Sequence, residues 1–139
     1  MTDESPKTRI LIVDDDQTLL NMYKERLEAG GYEVITASNG EEGLAKAIEY
    51  LPQCILLDIL MPKVNGFDVL ESIRSTEETK NIAVIMLTAL VQESNKQKGL
   101  SEGVDDYIIK SETMPGEVIS KIENVIKKKK SELEQRAQQ

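Results

Sequence analysis

Two apolar runs in this sequence stop on acids. Ile10-Leu11-Ile12-Val13 runs into Asp14-Asp15-Asp16, and Cys54-Ile55-Leu56-Leu57 runs into Asp58. Each run has the unbroken apolar character of a strand buried on both faces, and open parallel sheets carry their sites outside the carboxyl ends of such strands. Asp14, Asp15 and Asp58 therefore read as one cluster. Two further apolar runs end on polar groups, one at Thr88 and one at Lys110. Carboxylates about 4–5 Å apart repel by roughly 3–4 kcal/mol at an effective dielectric near 20, so three in one crevice need a cation. Hard oxygen ligands suit Mg²⁺, which takes one or two carboxylates and keeps waters that a phosphate can replace. Three negative charges against Mg²⁺ and the Lys110 ammonium sum to zero. A carboxylate with a metal, a hydroxyl and an ammonium beside it is equipped for phosphoryl transfer. Asp58 stands alone at its strand end and is the candidate nucleophile, while Asp14 and Asp15 suit metal binding.

The elements that must position these groups follow from apolar spacing. Residues 1–8 are polar and read as a loose tail, and residues 9–13 form the first strand. Leu19, Leu20, Tyr23 and Leu27 fall at helical spacing, which predicts a helix over 17–29 stopped by Gly30-Gly31. Residues 33–37 are β-branched and alternating, the second strand, followed by turn chemistry at Ser38-Asn39-Gly40. A second helix then places Leu44, Ala47, Ile48 and Leu51 on one face, with Pro52 beyond its end. The third strand leads into a turn at Lys63-Val64-Asn65-Gly66 and a third helix through Phe67, Leu70 and Ile73. Residues 82–87 predict a fourth strand, 92–101 a polar fourth helix anchored by Leu100, and 105–109 a fifth strand. From Pro115 a last helix presents Val118, Ile119, Ile122, Val125 and Ile126, then continues into the basic run 127–130. Five strands alternating with five helices specify an α/β fold, a flavodoxin-like doubly wound five-stranded parallel sheet of order 2-1-3-4-5. In that order the first and third strands are neighbours, so their acids meet.

Composition narrows the chemistry. The chain of 139 residues fits one domain, spanning 9–126, with 127–139 as a basic extension of the last helix. With no histidine, it cannot itself perform imidazole catalysis, ligate zinc through His or carry a phosphohistidine. The formal charge of -8 is uneven: residues 127–139 hold five basic and two acidic groups (+3), leaving -11 on residues 1–126. An acidic body argues against direct binding to nucleic acid. Neither a leader pattern nor a run of the roughly 20 apolar residues needed to span a bilayer is present, so a cytoplasmic protein with no membrane partner is expected. The lone Cys54 reads as a small core residue.

Four ordered motifs together resemble the receiver domain of two-component response regulators: Ile10-Leu11-Ile12-Val13-Asp14-Asp15, Leu57-Asp58-Ile59-Leu60-Met61-Pro62 with Gly66, Leu87-Thr88-Ala89 and Asp106-Tyr107-Ile108-Ile109-Lys110. The resemblance covers roughly residues 8–127. It implies that Asp58 accepts phosphate from a phosphohistidine of a sensor histidine kinase or histidine phosphotransfer protein. It also implies that Asp15, Asp58 and the Leu60 carbonyl bind Mg²⁺ directly, with Asp14 acting through water. Thr88 and Lys110 would hold phosphoryl oxygens, and Tyr107 would swing inward with Thr88 as the switch. The output surface would be the fourth helix, the fifth strand and the last helix, through which a homodimer is also open. Beyond catalysing its own phosphorylation and dephosphorylation, no conventional enzyme is implied.

One position departs from the family pattern. Where the family usually has proline after its lysine, often as a cis peptide, this chain has Ser111, so a trans peptide is expected there. Leu60 and Leu90, each two residues beyond Asp58 and Thr88, are apolar at positions that govern water access in the family, which predicts slow self-dephosphorylation. Blander readings stand beside these. Asp15 or Asp16 could simply cap a helix, and Lys127-Lys128-Lys129-Lys130 suits a solvated helix end. Leu133 continues the stripe of Ile119, Ile122 and Ile126, but Lys129 interrupts it as a coiled-coil seam. The chain also reads as a receiver module of a larger regulator or hybrid kinase. A flavodoxin-like electron carrier would need a phosphate cradle where Asp14-Asp15-Asp16 would repel the phosphate.

Overall fold

A computed structural model describes residues 7–61, 63–88, 103–110 and 114–137. In chain order these form β1 (Arg9–Val13), α1 (Gln17–Ala29), β2 (Glu33–Ala37), α2 (Gly40–Tyr50), β3 (Cys54–Asp58), α3 (Gly66–Ser75), β4 (Ala83–Thr88), β5 (Asp106–Ile109) and the C-terminal helix α4 (Pro115–Ala137). The strands make one parallel sheet of order β2-β1-β3-β4-β5, as the spacing of the apolar runs predicts. The predicted helix at 92–101, and with it Leu90, Leu100 and the Lys110-Ser111 peptide, lies outside the described residues.

Alternation along the central strands divides the core. Leu11, Val13, Ile55, Leu57, Val84 and Met86 point to one side, where Ala47 of α2 and Phe67, Leu70 and Ile73 of α3 cover them. Ile10, Ile12, Leu56, Ile85 and Leu87 point to the other, against Leu20, Tyr23 and Leu27 of α1 and Val118, Ile122 and Val125 of α4. Every residue of β3 and β4 is buried, which is why these runs are apolar without interruption.

Several boundaries differ from the sequence reading. β4 begins at Ala83 because Ile82 is held in a turn, its N–H donating to the Thr79 carbonyl (3.0 Å) and its carbonyl accepting from Arg74 (2.6 Å). Asp105 lies just outside β5, where its carboxylate accepts the Val84 N–H (2.8 Å) and bonds Arg74 Nη2 (3.0 Å). The buried face of α2 is Gly40, Gly43 and Ala47, with Leu44 packed half-buried beside them. Ile48 and Leu51 are 42% and 52% exposed. The small residues win the inner face because α2 lies hard against β1: a Cβ on Gly43 would come 2.8 Å from Val13 Cγ2.

Leu51 caps α2 in the left-handed region, at φ 46°. That conformation costs a β-carbon-bearing residue about 1–2 kcal/mol and glycine almost nothing. With so exposed a side chain little packing is lost, so Leu51→Gly is expected to raise stability by about 1 kcal/mol in chemical denaturation. An unchanged or lowered midpoint would show that Leu51 packs better than its exposure indicates.

Candidate functional site

Register alone brings the acids together. Val13 pairs with Leu57, so the next residues, Asp14 just beyond β1 and Asp58 as the last residue of β3, stand side by side. Asp58 is itself opposite Leu87, Thr88 is opposite Ile109, and Lys110 follows with its N–H on the Thr88 carbonyl (2.8 Å). The result is a crevice of about 290 Å³ lined by Asp14, Asp15, Asp58, Leu60, Thr88 and Lys110. Six of the seven residues singled out from sequence meet there. The seventh, Tyr107, lies one strand over on β5, half-buried against the core on the α3 side of the sheet.

Lys110 joins the two buried acids. Its Nζ lies 2.8 Å from Asp14 Oδ2 and 3.4 Å from Asp58 Oδ1. Asp14 is fully buried and Asp58 is 4% exposed, whereas Asp15 is exposed at the rim. The second oxygen of Asp14 accepts the Asp16 N–H (3.0 Å), and Asp58 Oδ1 accepts the Leu60 N–H (3.3 Å). Asp16 takes the capping role, accepting the Leu19 N–H at the start of α1 (3.2 Å). Its carboxylate therefore occupies the helix end that a phosphate cradle would need.

Burial first, and then the charge of Asp14, push the Asp58 carboxyl up to about 6, against the opposing pull of Lys110 and the Leu60 N–H. For Lys110, burial lowers the ammonium's pKa, but its bond to Asp14 and the charges of Asp58 and Asp14 outweigh this, and the net shift is upward. The Asp58 shift reflects burial first and the neighbouring charge second, and the Lys110 shift reflects the two acids it touches. One ammonium cannot neutralise three carboxylates.

The donor set fits a divalent ion. Asp14, Asp15 and Asp58 each offer an oxygen, all within 4.8 Å of one another. All-oxygen chemistry with two residual negative charges favours Mg²⁺, which takes one or two carboxylates directly and reaches others through its waters. The linkage to stability has a definite sign. A folded-state pKa above the unfolded 3.8 means the folded chain holds the proton more tightly, so stability falls as pH rises from about 4 to 6. In chelator at pH 7, Asp58→Asn is expected to be more stable than the parent by about 2–3 kcal/mol, the difference fading below pH about 4. Mg²⁺ at ten times its dissociation constant should return about 1.4 kcal/mol to the parent and less to the variant. Equal melting curves across this pH range would contradict a raised Asp58 carboxyl in the folded chain.

Sequence reasoning missed two features of the site. Gly66 opens α3, with Asn65 as its cap, and does not serve as a turn glycine; the positive φ of that loop belongs to Lys63, at 73°. A Cβ on Gly66 would lie 2.3 Å from the Asp58 carbonyl oxygen and 2.8 Å from Ile59 Cα, so α3 starts directly against the backbone that carries Asp58. Tyr23, placed by helical spacing alone, is buried near enough to the crevice for its phenol to respond to Lys110 and Asp14, although burial is the larger cause of its raised pKa. Helical periodicity signals neither contact.

A family model described as the response regulator receiver domain matches residues 10–123. The chain belongs to this family. Among curated receiver-containing relatives, the DNA-binding dual master transcriptional regulator RpaA of Synechocystis is 44% identical over 102 residues, covering 73% of this chain and 42% of that protein. The alkaline phosphatase synthesis transcriptional regulatory protein PhoP of Bacillus subtilis is 38% identical over 120 residues, 86% of this chain and 49% of that one. The chain thus spans about half the length of these relatives. A CheY-like receiver domain protein of Methanospirillum hungatei superposes with a TM-score of 0.84 at 34% identity, over 91% of this chain and 99% of that structure. Strand order and family agree, and none of the described helices is long and apolar enough to cross a membrane.

Proposed function

We propose that this receiver is a phosphorylation-controlled switch in which Asp58 accepts a phosphoryl group from a phosphohistidine of a sensor histidine kinase or histidine phosphotransfer protein. The observation that carries the reading is Lys110 Nζ, reaching from the end of β5 past β4, set between Asp14 and Asp58 at the ends of the neighbouring strands β1 and β3. An oxygen of Asp58 forms the new bond to phosphorus as the P–N bond to the donor imidazole breaks; the imidazole leaves with the electron pair and takes a proton. Lys110 moves from its ion pair onto a phosphoryl oxygen, and the Thr88 hydroxyl, at the end of β4, holds another. Asp15, Asp58 and the Leu60 carbonyl are the residues that would hold Mg²⁺, with Asp14 acting through water. When bound, the ion neutralises charge on the transferring oxygens. Hydrolysis of the acyl phosphate by water resets the switch. The test is mass spectrometry after incubation with Mg²⁺ and a small acyl phosphate: a gain of one phosphoryl group on Asp58, absent in chelator.

The switch reads out through Thr88 and Tyr107 toward the surface of β5 and α4, in the cytoplasm, where a partner protein docks. Leu60 is 72% exposed beside Asp58, an apolar group at the water's approach to the acyl phosphate. A half-life of minutes or longer is expected for the purified phosphoprotein, followed by loss of phosphate after rapid removal of the donor, and decay within seconds would contradict it. A second reading follows from the relatives of about twice this length that are named as transcriptional regulators. On that reading the receiver governs a DNA-binding module in a longer polypeptide.

A further inference from the structure

At the end of the sheet opposite the phosphorylation crevice, the C-terminal helix outruns the body. Its last buried residue is Val125, yet α4 continues to Ala137, a further 12 residues or about 18 Å. Beneath this overhang lies a groove of about 710 Å³. Pro52 and Ile82 form its floor, Ile126 and Leu133 one wall, and Glu77 and Glu78 the other. Lys129 also faces it, but its ammonium is drawn down onto Asp105 Oδ1 at 3.0 Å, the carboxylate that Arg74 holds from α3. The residue that interrupts the Ile126 to Leu133 stripe in sequence is therefore neutralised inside the molecule. The stripe remains a usable apolar face.

The charges around the groove are left over in a particular pattern. Among the described residues no ion pair involves Lys127, Lys128 or Lys130, nor Glu78, Glu132 or Glu134. The overhang carries Lys127 to Lys130 in its first half and Glu132, Glu134 and Arg136 in its second, so the first half is strongly basic and the second weakly acidic. Two such helices laid antiparallel set lysines against glutamates twice, whereas parallel helices would align lysine with lysine. The same antiparallel arrangement would bring the basic half of one helix to Glu78 of the other molecule, beside Glu77, which already pairs with Lys80 at 3.0 Å. A nucleic acid or an anionic lipid surface would meet the glutamates of both walls beside every lysine.

We infer that this groove is the interface for a second copy of the chain: the two overhanging helices pair antiparallel about a two-fold axis, with Leu133 of each seated against Ile82 and Ile126 of the other. The surface differs from the one formed by β5 and the body of α4, and it does not depend on phosphorylation. Three helical turns and one groove bury less than a standard interface, so the dimer is reversible, with a dissociation constant of about 10–100 µM.

Sedimentation equilibrium of the unphosphorylated full chain, from about 5 µM to about 500 µM, tests this. The expected result is a mass rising from one chain to two, with weaker association at high salt. Leu133→Asp on the helix and Glu78→Lys on the facing wall should each weaken association at least about tenfold. Combining Glu78→Lys with Lys130→Glu should recover most of the loss. Thermal melts accompany each variant; if Leu133→Asp fails to fold, Glu78→Lys on its exposed turn decides. A mass of one chain throughout, a dimer indifferent to both substitutions, or assembly beyond two chains would overturn the inference.

Discussion

Asp58→Asn is expected to eliminate phosphoryl incorporation altogether, and Lys110→Ala to slow it by about 10²–10³-fold, a magnitude typical of removing one preorganised charge donor from a transition state. The two losses have different origins. An amide in place of the Asp58 carboxylate has no anionic oxygen to attack phosphorus, yet it removes a buried charge that burial first and Asp14 second disfavour, so the variant is expected to fold and to be more stable in chelator. Removing Lys110 leaves the buried carboxylates of Asp14 and Asp58 without the ammonium that touches both, which costs stability as well as rate. Single-turnover phosphorylation with a small acyl phosphate, read by intact mass, separates the two. Full incorporation into Asp58→Asn would move the acceptor to another residue and end the assignment.

Gly66→Ala should be the most damaging single-methyl change near the site. The new Cβ would meet the Asp58 carbonyl oxygen at 2.3 Å and Ile59 Cα at 2.8 Å, and both are backbone atoms that cannot swing aside. Relief requires α3 to move off the end of β3 or the Asp58 backbone to shift. The first unpacks Phe67 and Leu70, which are almost fully buried, at about 3 kcal/mol. The second displaces the nucleophile, and a misplacement near 1 Å can cost about 10²-fold in rate. Urea denaturation and phosphorylation rate measured on the same sample should therefore both fall. A variant with parental stability and rate would show that the close approach of α3 to β3 is not required.

Much of the molecule is legible in the sequence because its signals are local. Continuous apolar runs at 10–13 and 54–57 mark strands covered on both faces, and helical spacing at Leu20, Tyr23 and Leu27 marks the inner face of α1. An acid directly after a two-sided strand must leave the sheet at its carboxyl edge, so the parallel topology brings Asp14 and Asp58 together once the strand order is inferred. Asp16 could be read as a cap from its place before a helix, whereas Asn65 reads as part of a turn and only the structure makes it the cap of α3.

What periodicity leaves open depends on distances between segments remote along the chain. The spacing of Leu44, Ala47, Ile48 and Leu51 describes a plausible apolar face, but the closeness of α2 to Val13 selects Gly40, Gly43 and Ala47. Asp105 looks like the first residue of a strand until Arg74 and Lys129 approach it from two helices. Lys129 looks like a fault in a stripe until that same carboxylate turns it inward, and Gly66 looks like a turn until α3 is seen against the backbone of Asp58. By itself the sequence determined which residues are apolar, in what rhythm, and which strands end in charge. Tertiary structure alone decided which helix face is buried and which charges are neutralised inside the molecule, because steric exclusion and ion pairing act over a few ångströms in space, whatever the separation in sequence.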